Sequence, residues 1–442
     1  MKQLTLLLFL TALLNAAVSK AGTPAYPAAA RNYVQTVKKL TDIMVRDVTG
    51  PCAAARYYAY ANLAAYEVQR QLANPANYVA YQGMLRDYPE IPVATPNQTI
   101  DVNFSSLYAL LRMGEELLPS GYLLEEARKN LIDEAGSKYR LNKEIITNST
   151  AYADLIVKQL MRYAAKDGYL KTTGYMRYTP LKEAQNWQPT PPGYLEAYEP
   201  YWGSLRPFLL DSAAQFKPLP AVPFNKQVGT PFYNLANEVY DVTRNLNQEQ
   251  KNIANFWDCN PFFLVLQGHV SYGKKKISPG GHWMGITGIA CMQKQLSLAE
   301  TVRWHTVVGL TMSDAFISCW NEKYRSNRIR PETFINTQID KDWRSLLQTP
   351  PFPEYTSGHS VVSSAVALVL TALAGENFAY NDTVEVEFGL PARKFSSFQQ
   401  AAQEAAISRL YGGIHYRDAV DNGFIQGQQI GQFVLQKIKP DK

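Results

Sequence analysis

The chain is predicted to be all-α, built from packed helical bundles, and three observations lead there. Of its 442 residues, 46% are hydrophobic and 19% charged, which is enough apolar material to bury a substantial core. Apolar positions recur at the helical period along most of the chain, while the period-two alternation of half-buried strands is hard to find. No repeat of fixed period and no low-complexity tract points to a solenoid or a disordered array. A chain of this length has room for roughly two or three domain-sized units.

Residues 31–48 carry Tyr33, Val37, Leu40, Ile43 and Met44 on one face, the stripe of an amphipathic helix. Pro51 then suits the first turn of the next helix, over 53–72, with Tyr57, Ala61, Leu63, Ala64 and Val68 on its buried side. Further helices are predicted over 100–118, 124–138, 142–167, 231–246, 248–257, 281–293, 298–324, 357–374, 397–410 and 422–437. So many one-sided helices bury their apolar faces against one another, hence a bundle or a pair of bundles. Between 168 and 230 the texture changes to prolines, tyrosines and tryptophans without a sustained period, a long irregular connection of the kind that is either functional or a linker. The main division is expected near 218–230, giving an N-terminal helical region over 22–225 and a C-terminal helical domain over 226–442.

Lys2, the apolar run from Leu4 to Leu14 and the small-x-small string Ser19-Lys20-Ala21 form an export-signal pattern over 1–21, with cleavage expected after Ala21. That run is too short for a bilayer, which requires about 20 residues, and no cysteine follows it to suggest a lipoprotein. The later apolar stretch 360–375 is interrupted by serines and suits a buried core helix. The mature chain is therefore expected to be exported, periplasmic or secreted, with no transmembrane helix. The formal charge of +6 is not gathered into long runs, the longest being Lys274-Lys275-Lys276, so nucleic acid is not expected as a partner. Cys52, Cys259, Cys291 and Cys319 are too scattered for a disulfide scaffold or a C-x-x-C zinc site and leave room for one or two disulfides of unassigned pairing.

The chemistry lies in three strings. In Tyr355-Thr356-Ser357-Gly358-His359 the Ser357 hydroxyl and the amides of Gly358 and His359 stand at a helix start, where free N–H groups and the dipole favour an anion. In Ser408-Arg409-Leu410-Tyr411-Gly412-Gly413-Ile414-His415, an alanine-rich helix ends in a glycine pair that delivers Arg409 and His415 to one region. The third string is Lys323, six residues, then Arg330-Pro331, with the proline expected to stop the helix that carries the lysine. Singly, each has an ordinary reading: a turn glycine, a surface ion pair, a solvated charged face, a satisfied core histidine. The order Lys-x6-Arg-Pro, Ser-Gly-His, Ser-Arg-x5-His resembles the superfamily shared by type 2 phosphatidic acid phosphatases, bacterial non-specific acid phosphatases and vanadium-dependent haloperoxidases. The motifs span residues 323 to 415, and the likeness extends loosely from about Phe256 to the C-terminus.

The resemblance implies that Lys323, Arg330 and Arg409 hold the oxygens of a tetrahedral vanadate or phosphate, with Ser357 and the Gly358 amide completing the cage. Three fixed cations would offset such an anion, the guanidinium forks giving paired contacts. It further implies that His415 is the axial partner, either the nitrogen bound to vanadium or the nucleophile that becomes phosphohistidine, and that His359 is the acid and base. The surroundings of Trp320, in Asp314-Ala315-x-Ile317-x-x-Trp320-x-x-Lys323-Tyr324, and of Phe352, in Pro351-Phe352-Pro353-Glu354-Tyr355, resemble the haloperoxidase branch, which makes both expected lining residues. Phe256-Trp257 and Pro279-Gly280-Gly281-His282-Trp283 resemble the helical region that bacterial haloperoxidases add upstream.

The pattern departs at one place. Family members commonly carry an Asp four residues after the axial histidine, whereas here that position is Ala419, with Asp418 and Asp421 nearby. A one-residue shift turns a helical side chain by about 100°, so these residues leave the partner that orients His415 unassigned. His269, His282 and His305 have no metal-ligand spacing and are expected to be structural, with His282 nearest the cleft. The leading expectation is a vanadate-dependent haloperoxidase of the bacterial iodide-preferring or generally halide-oxidising kind, oxidising halide, iodide ahead of bromide, with hydrogen peroxide to a hypohalous species. The alternative is a periplasmic acid phosphatase acting on phosphate monoesters through His415, since phosphate can occupy the same cage; the third is an oxyanion-binding protein without turnover.

Overall fold

The computed structural model describes residues 29–72, 78–94, 98–267, 269–273 and 275–439, so the export-signal pattern of residues 1–21 lies outside it. The fold is all-α, as expected. Helices α1 (Ala29–Arg46), α2 (Pro51–Leu72), α3 (Val102–Leu117), α4 (Glu125–Ser137) and α5 (Lys143–Ala164) precede the irregular connection, whose first residues form the short α6 (Tyr169–Thr172). After it come α7 (Pro231–Arg244), α8 (Gln248–Phe256), α9 (Pro279–Gln293), α10 (Leu298–Ser326), α11 (Pro331–Gln338), α12 (Gly358–Ala374), α13 (Phe398–Tyr411) and α14 (Arg417–Ile438). Two antiparallel hairpins, β1 (Leu264–Gln267) with β2 (Val270–Gly273) and β3 (Tyr380–Asp382) with β4 (Arg393–Phe395), are the strands of the described residues.

Helix α10 is the axis of the molecule and packs against α2, α9 and α12. Its start is a capping box, with the Ser297 hydroxyl on the Glu300 amide and the Glu300 carboxylate on the Ser297 amide, so two orphan donors are satisfied reciprocally. Helix α2 is buried on nearly every side, which explains its run of alanines: they let it lie close to α10, where a Cβ at Gly309 would come within 3.1 Å of the Ala59 Cα. A second close approach sets the site. Gly423, Gly427 and Gly431, one helical turn apart on α14, face α12, and a Cβ at Gly427 would sit 2.0 Å from the Val361 carbonyl. Only glycine there lets α14 brace the helix whose first residues are Gly358 and His359.

Two expected boundaries are corrected. Pro331 does not simply stop the helix of Lys323: α10 ends at Ser326 with Asn327 in the left-handed conformation (φ 47°), and Pro331 opens the separate helix α11, where its missing N–H costs nothing. Helix α14 begins at Arg417, five residues before the expected start, so only Tyr416 separates it from His415. Cys52, Cys259, Cys291 and Cys319 are all free and buried, so the one or two disulfides for which the sequence left room do not form. Among the described residues no helix is long and apolar enough to cross a membrane.

The irregular connection is ordered by buried anchors. The Asp314 carboxylate on α10 accepts the amides of Phe208, Leu209 and Leu210 at 2.6, 2.7 and 2.9 Å. Trp187 and Trp202 are fully buried, and the Trp187 amide donates to the Asn327 carbonyl while the Ile329 amide donates to the Gln185 carbonyl. The connection is thereby laced onto the segment that carries Arg328 and Arg330, and the Tyr198 amide reaches the Pro351 carbonyl beside Phe352.

Candidate active site

Three structural pieces converge on one cleft: the end of α10 with the segment that follows it, the start of α12, and the end of α13 with the turn into α14. The cleft is lined by Trp320, Phe352, Gly358, His359, Arg409 and His415, all anticipated from the sequence, together with Phe262, Phe316, Cys259 and Asn260, which were not. Lys323, Arg330 and Ser357 lie just behind this wall and are fully buried.

Ser357 is the N-cap of α12, its hydroxyl accepting the Ser360 amide at 3.3 Å, and its own amide donates to the Ala419 carbonyl on α14. The α12 start is thus fixed to α14 while the Gly358 and His359 amides remain first-turn donors. Arg330 donates from Nε to the Phe352 carbonyl at 2.9 Å, and from Nη1 to the Ile414 carbonyl at 2.8 Å and to His415 Nε2 at 3.2 Å, but its buried Nη2 has no partner. Arg409 donates from Nε to the Ser408 hydroxyl and from Nη2 to the Trp257 carbonyl at 2.7 Å. His359 hydrogen-bonds the Trp257 backbone and leaves its Nε2 buried without a partner.

Lys323 is differently used than the resemblance implies. Its ammonium donates to the carbonyls of Pro353, Glu354 and Thr356 at 3.1, 3.1 and 2.5 Å, which occupies all three of its protons. It therefore clamps the loop leading into Ser-Gly-His, and contact with an anion would require it to exchange one of those carbonyls.

The orienting partner of His415 is neither Asp418 nor Asp421. Glu354 supplies it: Oε1 lies 2.8 Å from His415 Nδ1 and also accepts the Tyr416 amide at 3.0 Å. The other carboxylate oxygen accepts from Arg328 Nε at 2.6 Å, and Arg328 in turn makes a paired contact with Asp418 at 2.6 and 2.8 Å. Asp418 thus acts through Arg328 and Glu354, two residues removed from the imidazole. Since Arg330 can only donate, His415 Nε2 must carry a lone pair, and the ring is the neutral tautomer with its proton on Nδ1.

The electrostatics follow from burial of many cations around little negative charge. Burial foremost lowers Lys323 to about 8 and Arg330 to about 10, and it lowers Arg409 as well. His359 and His415 fall well below the usual imidazole range, by burial first and then by repulsion from Arg409 and His415 for the former and from Arg330, Lys323 and Arg409 for the latter. His282, expected nearest the cleft, does not line it: the ring is fully buried, stacked on Trp257 at 4.6 Å, and Cys259 takes the place at the wall. His305 is a core residue donating to the Thr301 carbonyl, and His269 is exposed.

Residues 303–440 match the family model described as the VCPO second helical-bundle domain. The whole fold is similar to the crystal structure of the first bacterial vanadium-dependent iodoperoxidase, with a TM-score of 0.87 and 42% identity over 92% of this chain and 96% of that one. Holo and apo structures of a bacterial vanadium-dependent chloroperoxidase share the fold at 18% identity, with TM-scores of 0.65 and 0.66 over 95% and 88% of this chain and 96% and 95% of theirs. No curated protein matches.

Proposed function

The chain belongs to the vanadium-dependent haloperoxidase family and is an enzyme, and we propose that it oxidises iodide with hydrogen peroxide, with vanadate held by Lys323, Arg330, Ser357, Gly358, Arg409 and His415. The observation that carries the reading is the set of buried, unpartnered polar atoms in a cationic cleft: Arg330 Nη2 and His359 Nε2 have no acceptor or donor, and Lys323, Arg330, Arg409, His359 and His415 are all shifted toward their neutral forms. A buried donor without a partner costs about 1–3 kcal/mol, and a polyanion at this place would remove that cost and offset the positive charge together. The donor set therefore fits a tetrahedral oxyanion.

When bound, vanadate supplies Lewis-acid activation of hydrogen peroxide without a change in its own oxidation state. The protein supplies the rest. Arg330 and Arg409 neutralise charge, His415 presents the Nε2 lone pair with Glu354 fixing the ring, and Lys323 holds the loop that positions Ser357 and would reach the anion by giving up one of its three carbonyls. His359 holds or accepts a proton at Nε2, the atom left free for it. In the balanced reaction iodide, hydrogen peroxide and one proton yield hypoiodous acid and water, iodide losing the two electrons that peroxide gains. Phe316, Trp320 and Phe352 line the approach with aromatic surface, which suits iodide because it is weakly hydrated and loses little by leaving water. The 42%-identical relative being an iodoperoxidase supports the same halide. The pattern over residues 1–21 supports export, which N-terminal sequencing of secreted protein beginning at Gly22 would establish.

The test is reconstitution of purified protein with orthovanadate, followed by iodide oxidation with peroxide beside phosphate-ester hydrolysis without vanadate. Iodide oxidation is expected, abolished by His415→Ala, and suppressed by phosphate added before vanadate far more than by phosphate added after. Rates indifferent to phosphate in either order place the peroxidase site elsewhere. Ester hydrolysis without iodide oxidation at any vanadate concentration assigns the site to a phosphatase.

A further inference from the structure

Beside the cleft lies a second cluster that the reaction above does not use. Cys259 follows α8, His282 is in the first turn of α9, and Glu385 follows β3; all three are buried. Their nearest atoms form a triangle: Cys259 Sγ to His282 Nδ1 is 3.5 Å, His282 Nδ1 to Glu385 Oε1 is 3.3 Å, and Cys259 Sγ to Glu385 Oε1 is 3.6 Å. Zn–S bonds of about 2.3 Å and Zn–N and Zn–O bonds of about 2.0 Å at the tetrahedral angle separate such donors by about 3.5, 3.3 and 3.5 Å respectively. The three edges agree with that figure, so one ion could reach all three donors without movement of the backbone.

We propose that Cys259, His282 and Glu385 form a buried Zn2+ site distinct from the anion cage, with a water as fourth ligand. The remaining imidazole nitrogen, Nε2, lies 2.8 Å from Asp382 Oδ2, the carboxylate partner that gives a metal-bound histidine its tautomer and basicity; a metal ion would displace the proton from Nδ1, which faces Glu385, and take its lone pair. Charge points the same way. A thiolate and a carboxylate would together neutralise a divalent ion, the two protons leaving on binding. A mixed sulfur, nitrogen and oxygen set suits zinc better than calcium or magnesium, which take oxygen ligands.

The site would brace the active cleft. Trp257, two residues before Cys259, gives its carbonyl to Arg409 Nη2 at 2.7 Å, bonds His359 through its backbone, and stacks on the His282 ring. An ion tying Cys259 to His282 and Glu385 holds 257–259 in the place those two cleft residues need, which makes the ligands positioning residues.

Untagged protein stripped with a chelator should bind one equivalent of Co2+, with a thiolate-to-cobalt charge-transfer band in the near ultraviolet that Zn2+ bleaches by displacement. Cys259→Ser, a near-isosteric change, should remove the band, and Glu385→Gln should weaken Zn2+ binding by roughly 10-fold or more, with the fold of each checked by circular dichroism. These readouts need no vanadate and no turnover, so they stand apart from the peroxidase assay. Absence of a thiolate band in the folded wild type, or Zn2+ bound as tightly by folded Cys259→Ser, would overturn the site. Inorganic phosphate bound as tightly by the metal-free as by the zinc form would overturn its bracing role.

Discussion

His415 Nδ1 sits 2.8 Å from Glu354 Oε1, a pairing between residues on either side of α12 and α13 that makes a glutamate the orienting acid of the His415 imidazole. The same carboxylate is tied through Arg328 to Asp418, so one acidic group at the expected end of the motif is still coupled to the ring, by way of two others.

Removing that acid should loosen the ring. Glu354→Ala is expected to lower vanadate affinity by about 10- to 100-fold, the usual scale for an outer partner of a metal-bound histidine, and Glu354→Gln by less, because its carbonyl still accepts from Nδ1. Peroxidase activity titrated with orthovanadate reads this directly. Wild-type affinity in both variants would mean that Glu354 does not orient His415.

His359 tests the proton-transfer role. His359→Ala should retain vanadate yet turn over roughly 100-fold more slowly, as for a lost general acid or base. A variant that instead lost vanadate while keeping its rate per bound vanadate would make His359 a holding residue.

Asp314 anchors the irregular connection to α10. Asp314→Asn replaces one acceptor oxygen with a donor facing the amides of Phe208, Leu209 and Leu210, and should destabilise the fold by about 2–3 kcal/mol in urea unfolding. A loss below the precision of the measurement would show that the loop is held by its aromatic contacts alone.

His305 gives a pH dependence whose sign follows from burial. Desolvation lowers its pKa from 6.5 to about 4, with Nδ1 donating to the Thr301 carbonyl and Nε2 buried without a partner. The folded state then binds fewer protons than the unfolded state between those values, so this contribution is fully present above pH 6.5 and is lost as pH falls toward 4. Wild type should lose up to about 3 kcal/mol relative to His305→Phe across that window, as the pKa difference converts. Parallel stability curves for the two proteins would sink the assignment.

The sequence by itself determined the class of the fold and singled out the residues proposed for the cage. Helical stripes such as Tyr33, Val37 and Leu40 are local, because the period that buries one face is written in consecutive residues. Ser357, Gly358, His359, Arg409 and His415 were legible for a similar reason: each sits at a helix end, and spacing within a short string survives folding unchanged. Capping and turn chemistry set boundaries less sharply, which is why α11 was missed and α14 began early. What only the tertiary structure decided are pairings across long separations. Glu354 meets His415 from 61 positions away, Cys259 meets Glu385 from 126, and the Asp314 carboxylate meets the Phe208 amide from 106. No period or motif spacing encodes such contacts, since they arise when packed helices bring distant segments together. The same packing assigns Lys323 to three loop carbonyls, because a buried ammonium takes whatever acceptors the folded backbone sets around it.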